Sequence, residues 1–415
     1  MPGARSHRLA GLAQSDIRAM TRACHRAGGI NLGQGICDLP TPPPVRDGAV
    51  RAIEERRSTY SWPEGITDLR DRIAAKLERD NGLTADPAGE IVVTAGSAAA
   101  FACTIHAQLD AGDGLLVPEP YYGYHVNAAL VAGLDVQTVP LDPPGLVLDA
   151  AKLRAAAGPN TRAVLLCTPS NPSGRMLSTG EIEAVAEVAR ERDLLVITDE
   201  IYEYITYDGR RHVSPATVAD LRERTVSIMG LSKTFSITGW RLGYAVAPPA
   251  MAEAITLVHD LFYICAPTPL QHGVAAGMAM GREYYETMRA GYAAKRAMLC
   301  DALDAAGLTP IRPEGAYYVL ADVTRLGRAT SREAAFELLE RSGVATVPGS
   351  AFFTGAGGEG LVRLCFAKED DELEEACSRL RAALSSAPRD RESSACPQPS
   401  APRPAAAPRA PRKGR

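Results

Sequence analysis

The sequence predicts an α/β fold in which helices cover both faces of a mainly parallel sheet, followed by a smaller α+β domain. Short β-branched apolar runs recur from about residue 90 to 250, and amphipathic helical patterns separate them. After about residue 275 a long helical pattern precedes fewer strands, which indicates the second domain. The predicted boundaries are 1–44 for an N-terminal arm and a segment joining the small domain, 45–280 for the large domain, 281–384 for the small domain and 385–415 for a tail.

The individual elements follow in chain order. The predicted strands of the large domain are "EIVVTAG", "GLLVPEP", "RAVLLCTP", "LLVITDE", "TVSIMGLS" and "RLGYAVAP". Helical patterns such as "SAAAFACTIHAQL" and "EIEAVAEVARER" lie between them. The small domain is predicted to contain the helices "EYYETMRAGYAAKRAMLCDALDAAG", "SREAAFELLERSG" and "DDELEEACSRLRAALS", with strands "GAYYVLADV" and "LVRLCFA".

The composition favours chemistry on small molecules. The net charge of the 415 residues is −4, from 45 basic and 49 acidic side chains, so nothing in the balance recruits nucleic acid or an anionic membrane. No apolar run approaches the roughly 18 residues that a membrane span needs. Nine cysteines occur without a C-x-x-C pair, which fits a reducing compartment. We therefore expect a cytoplasmic protein with no nucleic-acid or membrane partner.

The last segment, 385–415, is rich in Pro, Ala, Ser and Arg and has almost no large apolar side chains. Such a segment buries too little surface to offset its chain entropy, so we predict that it is disordered. A basic recognition arm is the alternative.

Polar motifs follow the predicted strands at their carboxyl ends, where open α/β sheets bind ligands. Gly96, Ser97 and Ala98 open a helix whose free N–H groups suit a phosphate, although a Gly-Ser helix entry can also be a simple cap. Asn171 lies in a turn after a strand. Asp199 ends an apolar strand, where a buried carboxylate needs a partner unless it caps a helix.

Lys233 lies in "GLSKTFSITGWRLGY" with small residues around it and no carboxylate nearby in the sequence. Desolvation of such an amine lowers its pKa and makes it a nucleophile or base, whereas an exposed lysine would do neither. The motifs "TPSNPSG", "ITDEIY" and "GLSKTFSITGWRLGY" occur in this order, and Lys233 lies 34 positions after Asp199. Together they resemble the class I and II aminotransferases, which are aspartate-aminotransferase-like, fold-type I enzymes dependent on pyridoxal 5′-phosphate (PLP). The resemblance covers roughly residues 28–384.

The resemblance implies a role for each motif residue. Lys233 would hold the cofactor aldehyde as a Schiff base and then move the substrate proton. Asp199 would face the pyridine nitrogen, while Asn171 and Tyr202 would bind the ring hydroxyl oxygen. The implied phosphate contacts are Gly96, Ser97, Ala98, Ser232 and Arg241.

Further positions match the family pattern. Tyr122 would stack on the cofactor, and Tyr60 would reach the phosphate of a neighbouring subunit, so the resemblance implies a homodimer with shared active sites. The implied substrate contacts are Gly35, Asn171 and Arg363, of which Arg363 would bind the α-carboxylate. Some positions depart from the pattern. Gly230 replaces a serine that binds phosphate in some members, Met229 replaces a common polar residue, and the spacing to Tyr124 is one residue shorter than usual. Phe353 replaces a frequent glycine and is expected to narrow the substrate entrance.

The motifs imply the cofactor but leave several reactions open. Transfer of an α-amino group from an L-amino acid to a 2-oxo acid is the leading interpretation, and a PLP-dependent lyase, cyclase or oxidase is the alternative. A non-catalytic regulator is a remote alternative, because only about 30 residues precede "NLGQG", too few for a DNA-binding module of ordinary domain size. Some segments of this sequence most resemble the kynurenine, glutamine and methionine aminotransferase branch, and the Lys233 region is equally similar to prokaryotic aspartate aminotransferases. Since no second substrate arginine can be assigned, a neutral or aromatic substrate is favoured.

Overall fold

A computed structural model of the chain describes Ser6, Leu9, Leu12 and residues 16–385. Apart from Ser385, the predicted disordered tail lies outside these residues. The strands are β1 (Ile30–Asn31), β2 (Ile91–Thr94), β3 (Gly114–Pro118), β4 (Asp135–Val139), β5 (Thr161–Cys167), β6 (Leu195–Asp199), β7 (Thr225–Gly230), β8 (Gly243–Val246), β9 (Thr309–Ile311), β10 (Tyr318–Asp322), β11 (Val344–Ala345), β12 (Val347–Pro348) and β13 (Leu361–Cys365). The α-helices are α1 (Asp16–Ala27), α2 (Pro43–Glu54), α3 (Thr67–Lys76), α4 (Ser97–Gln108), α5 (Gly123–Ala132), α6 (Ala150–Ala156), α7 (Thr179–Glu191), α8 (Pro249–Tyr263), α9 (Thr268–Gly277), α10 (Arg282–Ala305), α11 (Ser331–Ser342) and α12 (Asp370–Ser385).

The central sheet has seven strands in the order β2-β8-β7-β6-β5-β3-β4. Only β8 runs against its neighbours, pairing antiparallel with β2 and β7, so the sheet is mainly parallel as predicted. The edge strand β4 was missed because its sequence, "DVQTV", has neither an apolar run nor strict alternation. Polar residues are tolerated in β4 because the strand lies at the edge of the sheet and its first residue, Asp135, is exposed.

Helices cover both faces of this sheet, so adjacent residues of one strand enter different cores. Leu165 packs in the core that contains α4, α5 and α8, while its neighbour Leu166 packs with α7 on the opposite face. Strands buried on both faces read as continuous apolar runs, which is why "RAVLLC" was recognised from sequence. The α/β fold class is thereby confirmed.

A second, antiparallel sheet has the order β12-β13-β10-β9, and β1 pairs with β11 in parallel. The helices α10, α11 and α12 pack on this sheet around one hydrophobic core. A capping box begins α11, in which Thr330 accepts from the backbone of Glu333 and the Glu333 side chain returns to the cap. The proposed domain boundaries at 44, 280 and 384 stay predictions.

The sheet order places several loops at one edge. Because β5, β6 and β7 are parallel neighbours, the segments after Cys167, Asp199 and Gly230 emerge together. The strand β13 of the second sheet approaches this edge, since Arg363 donates to Oδ1 of Asn171, and the arm around β1 is bonded to β13 through the amide of Cys365 and the carbonyl of Leu32. No α-helix in residues 16–385 is long and apolar enough to cross a membrane.

Candidate active site

A cavity of about 330 Å³ lies at the carboxyl ends of the central strands. Most of the residues predicted from sequence line it together. They are Gly35, Ser97, Ala98, Tyr122, Asn171, Asp199, Tyr202, Ser232, Lys233, Arg241 and Arg363. The fold therefore gathers motifs that are up to several hundred positions apart in the chain into a single pocket.

Lys233 extends into this cavity from the turn that follows β7. Its Nζ donates a long hydrogen bond of 3.4 Å to the carbonyl oxygen of Gly35, and it lies 5.6 Å from the ring centre of Tyr317. Burial lowers the pKa of Lys233 from its ordinary value, because the surrounding side chains replace water around the ammonium. No carboxylate in the described part of the chain forms an ion pair with it. The site therefore favours the neutral form of this amine.

Asp199 forms the acidic side of the cavity, at the end of β6. One carboxylate oxygen, Oδ2, lies 3.1 Å from Nε2 of His125, and Oδ1 accepts from the amide of Ile201 at 3.2 Å. Both side chains of the Asp199–His125 pair are buried. The residues after Asp199 form turns rather than a helix, so Asp199 is not a helix cap. A buried carboxylate held in this way can accept a hydrogen bond from a protonated ring nitrogen.

The turn between β2 and α4 forms an anion cradle. Gly96 has a left-handed φ of +87°, and a Cβ at this position would lie 2.5 Å from Nη2 of Arg241. The amides of Ser97 and Ala98, at the start of α4, donate to no acceptor among the described residues. Free N–H groups at a helix N-terminus beside a guanidinium favour a phosphate dianion. Gly96 itself does not line the cavity; its lack of a side chain admits Arg241.

Packing explains why Gly230 departs from the family pattern. A Cβ at Gly230 would lie 2.3 Å from Cγ1 of Ile201 and 2.8 Å from Oγ of Ser97. A serine there would therefore displace both neighbours. Phe353 does not narrow the entrance as expected: it is buried in the core beside Leu320 and lies outside the cavity lining.

Arg363, on β13, closes the opposite side of the cavity. The side chain is buried, with the residue 1% exposed, which excludes a surface role. Its Nη1 donates to Oδ1 of Asn171 at 2.9 Å, and its Nη2 donates to the carbonyl of Gly33 at 2.5 Å. The guanidinium also lies 4.4 Å from the ring centre of Tyr318. Its buried Nε has no partner in residues 16–385, so the group has donor capacity left for a carboxylate.

Two side chains that line the cavity, His125 and Tyr318, were not predicted from the sequence. His125 lies three residues after Tyr122, close to one helical turn, and its ring meets that of Tyr122 edge-on at 5.2 Å. This spacing was a signal that could have identified it. Tyr318 shares a 3.0 Å hydrogen bond between its hydroxyl and that of Tyr202, and nothing local in "GAYYVLADV" distinguishes it from a core tyrosine.

Two predicted residues lie at the margins of the site. Gly35 packs tightly, because a Cβ there would lie 1.9 Å from the hydroxyl of Tyr318. Tyr60 does not line the cavity of its own chain and is 78% exposed. The cavity is therefore built by one chain without Tyr60.

The donor set fits PLP. The free amides of the Ser97 turn and Arg241 suit the phosphate, Asp199 suits the pyridine nitrogen, and the Lys233 amine suits the aldehyde. A second anion receptor at Arg363 suits a substrate carboxylate. These are complementarities of charge and hydrogen bonding in this one cavity.

Comparisons with known proteins agree with this chemistry. The family model described as "Aminotransferase class I and II" matches residues 27–380. The aromatic-amino-acid aminotransferase 2 of Thermococcus litoralis is 33% identical over 383 residues, which cover 91% of this chain and 98% of that protein. The aspartate aminotransferase of Pyrococcus abyssi is 35% identical over 358 residues, covering 86% of this chain and 91% of that protein.

A solved structure extends the similarity to three dimensions. The N-succinyldiaminopimelate aminotransferase from Mycobacterium tuberculosis superposes with a TM-score of 0.88 at 34% identity, covering 92% of this chain and all of that chain. Fold, sequence and cavity chemistry lead to one conclusion. The chain belongs to the class I and II aminotransferases of the aspartate aminotransferase type and is a PLP-dependent enzyme that transfers amino groups between amino acids and 2-oxo acids.

Proposed function

We propose that this enzyme moves the α-amino group of a neutral or aromatic L-amino acid to a 2-oxo acid, with Lys233 as its catalytic residue. The observation that carries the proposal is the shared cavity of Lys233, Asp199 and Arg363. Bound PLP supplies an electron-withdrawing ring that stabilises negative charge at the substrate Cα. The remaining chemistry is positioning and proton transfer by the side chains of this chain.

Lys233 has two proposed tasks. Its neutral Nζ would bond covalently to the aldehyde carbon of bound PLP, and the lowered pKa supports this because only the unprotonated amine is nucleophilic. The same Nζ would also take the proton from the substrate Cα as a general base. Tyr202 and Tyr317 enclose the amine and limit the access of water.

Asp199 and Arg363 have different proposed partners: the cofactor ring for Asp199 and the substrate carboxylate for Arg363. The carboxylate of Asp199 would stabilise a protonated pyridine nitrogen in bound PLP, and His125, 3.1 Å from Oδ2, would keep that carboxylate in place. Arg363 binds the substrate α-carboxylate through its planar donors, with Asn171 orienting the guanidinium. The phosphate is held by Arg241, Ser232 and the turn of residues 96–98.

The preference for neutral or aromatic substrates rests on the lining of the cavity. Its basic side chains, Lys233, Arg241 and Arg363, all have proposed partners, and no other lysine or arginine in the described ranges lines it. Apolar and aromatic side chains dominate the remaining wall; they include Ile17, Ile36, Phe101, Tyr122, Tyr124 and Tyr318. A side-chain carboxylate would lose hydration there without gaining a cation from this chain.

We further propose a homodimer with shared active sites. Exposed apolar side chains cluster along the end of α8, where Leu261 is 77% exposed and Phe262 and Leu257 are also exposed. Contiguous exposed apolar surface favours association with a partner. Tyr60 and Trp62 are exposed as well, and Tyr60 is free to enter a second copy's site. We place the enzyme in the cytoplasm, because the eight cysteines of the described chain are thiols, which suits a reducing compartment.

The test is the absorbance of the purified protein mixed with L-phenylalanine, L-methionine, L-kynurenine or L-aspartate, first without oxygen and then with it. We expect the band of bound PLP to convert to that of the aminated cofactor without oxygen, and a 2-oxo acid to restore it. Oxygen consumption, or ammonia release without the aminated cofactor, would instead identify an oxidase or lyase. The Lys233→Ala variant should lack the original absorbance band but keep the far-UV circular dichroism spectrum of the folded wild type.

A further inference from the structure

His259, on α8, is a fully buried histidine that lies outside the cavity lining. The residue is 0% exposed, and both ring nitrogens have backbone partners. Nε2 accepts from the amide of Ala95 at 3.2 Å, and Nδ1 lies 3.0 Å from the carbonyl oxygen of Pro63. An amide can only donate and a carbonyl can only accept. The ring is therefore neutral, with its proton on Nδ1.

The two partners of His259 belong to different functional segments. Ala95 directly precedes Gly96, so it begins the turn whose free amides suit the phosphate. Pro63 lies three residues after Tyr60, in the segment predicted to reach a neighbouring subunit. The imidazole is thus a spacer between the phosphate turn and the segment of residues 60–66.

Other hydrogen bonds also hold this segment, and one of them reaches β2, but none of them involves Ala95. Gln271 accepts from the amide of Ile66 and donates to Oγ of Ser61, and the amide of Val93 donates to the carbonyl of Glu64. These bonds attach the segment to α9 and β2. Among the described side chains, His259 alone hydrogen-bonds to both Ala95 and the segment.

The surroundings keep this ring uncharged. Burial lowers the pKa of His259 from its ordinary value, while the Pro63 carbonyl and the neighbouring carboxylate of Asp260 oppose the shift. Tyr263 stacks on the ring at 5.4 Å. Protonation would place an N–H opposite the Ala95 amide, so the contact with the turn would be lost.

We propose that His259 is a positioning residue whose neutral Nδ1–H tautomer holds the phosphate turn at Ala95 against the Pro63 segment. The inference rests on the proposed role of the 96–98 turn and concerns residues that no motif identified. The imidazole of His259 thus links the position of the phosphate turn to the position of the segment that carries Tyr60. Loss of the Ala95 bond weakens phosphate binding, and loss of the Pro63 bond loosens the segment.

Two substitutions separate these bonds. The amide of H259Q reaches the position of Nε2 and can accept from Ala95, whereas that of H259N lies near Nδ1 and can donate to Pro63. H259F removes both bonds and keeps a ring. H25Q is the matched control, because His25 is exposed on α1.

The experiment measures the affinity of each apoprotein for inorganic phosphate and for PLP, together with amide exchange of residues 61–66 and 94–98. We expect H259N to bind phosphate and PLP about 10-fold more weakly and to exchange faster at 94–98, since one buried amide loses its acceptor. H259Q should keep both affinities and exchange faster at 61–66. In wild type, phosphate affinity should fall on acidification below pH 6.5 more steeply than in H259Q.

Equal affinities and equal exchange in H259Q and H259N would overturn the inference, even if H259F fails to fold. In that case PLP binding by the wild type would leave the proposed function standing. A wild-type protein that binds no PLP would overturn the proposed function, and the inference would fall with it.

Discussion

Nε2 of His125 lies 3.1 Å from Oδ2 of Asp199, and both side chains are buried beside the cavity. The ring of Phe101 lies 4.7 Å from the imidazole and Tyr122 meets it edge-on, so the histidine has little freedom to move. The carboxylate that we propose faces the protonated pyridine nitrogen is thereby supported on its other side by His125. The proposed cofactor chemistry depends on this support as much as on Asp199 itself.

Replacement of His125 tests that support. We expect His125→Ala to lower kcat/KM about 10-fold, because Asp199 loses its close polar contact with Nε2 and the packing that fixes its orientation. His125→Gln keeps a donor near the position of Nε2 and should retain most of the activity. Steady-state kinetics with the best amino-acid donor and a titration of PLP into each apoprotein provide the comparison. Wild-type kinetics in His125→Ala would mean that Asp199 is positioned by its backbone contact alone.

Arg363 provides a second test through its geometry. We expect Arg363→Ala to raise KM for every α-amino acid about 10- to 100-fold, because a charge-assisted, bidentate contact is lost. Arg363→Lys should recover little, since an ammonium lacks the planar fork that bonds Asn171 and Gly33 as well as substrate. Arg328→Lys is the control, because Arg328 is an exposed residue paired with Glu337. An unchanged KM in Arg363→Ala would place the carboxylate elsewhere.

An element or site residue is predictable from sequence where a single segment carries its own signal. The β5 and β6 strands are buried on both faces, so their apolar runs identify them. Asp199 and Lys233 are conspicuous because a charged side chain among buried apolar residues is costly unless it has a partner or a function. His125 acts through a residue more than 70 positions away, so its role depends on tertiary packing. The proposed role of Tyr60 requires a second chain, which a single-chain cavity does not contain. The tight fit at Gly230 likewise depends on Ile201 and Ser97, which only the fold brings together.

A buried ion pair lies close to the site but takes no part in the proposed reaction. Nζ of Lys76 is 2.5 Å from Oε2 of Glu203, both side chains are buried, and Asn81 donates to the same carboxylate at 2.9 Å. Glu203 immediately follows Tyr202 in the chain, so the pair anchors the turn that carries this cavity residue. Removing one partner of a buried pair leaves an uncompensated charge.

We therefore expect Lys76→Met to lower the free energy of unfolding by about 3–5 kcal/mol, measured by urea denaturation of the PLP-loaded protein. The double variant Lys76→Met, Glu203→Gln should recover much of this loss, because the remaining charge is gone. Lys152→Met removes a lysine from an exposed pair with Asp142 and should change stability by less than about 1 kcal/mol. A Lys76→Met protein as stable as wild type would show that water reaches Glu203.

The lowered pKa of Lys233 predicts a conflict between reactivity and stability. Burial makes the ammonium form unfavourable in the folded apoprotein, so below the folded pKa the native state carries the full cost of desolvating the charge. The unfolded chain binds the proton more tightly, with an ordinary pKa of 10.5. The cost should therefore decline as pH rises through the folded pKa and vanish above 10.5. We expect Lys233→Met, which keeps an unbranched side chain without charge, to stabilise the apoprotein near neutral pH.

Urea unfolding of wild-type and Lys233→Met apoproteins at a series of pH values measures this effect. The stability advantage of the variant should shrink as pH increases, because the wild-type lysine becomes neutral in the folded state. Lys152→Met serves as the control, since its lysine pairs with Asp142 at the surface and should give a small, nearly constant difference. An advantage that grows with pH would reverse the sign and show that the cavity stabilises the ammonium. Lys233 would then have to lose its proton during cofactor attachment at a free-energy cost that this structure does not predict.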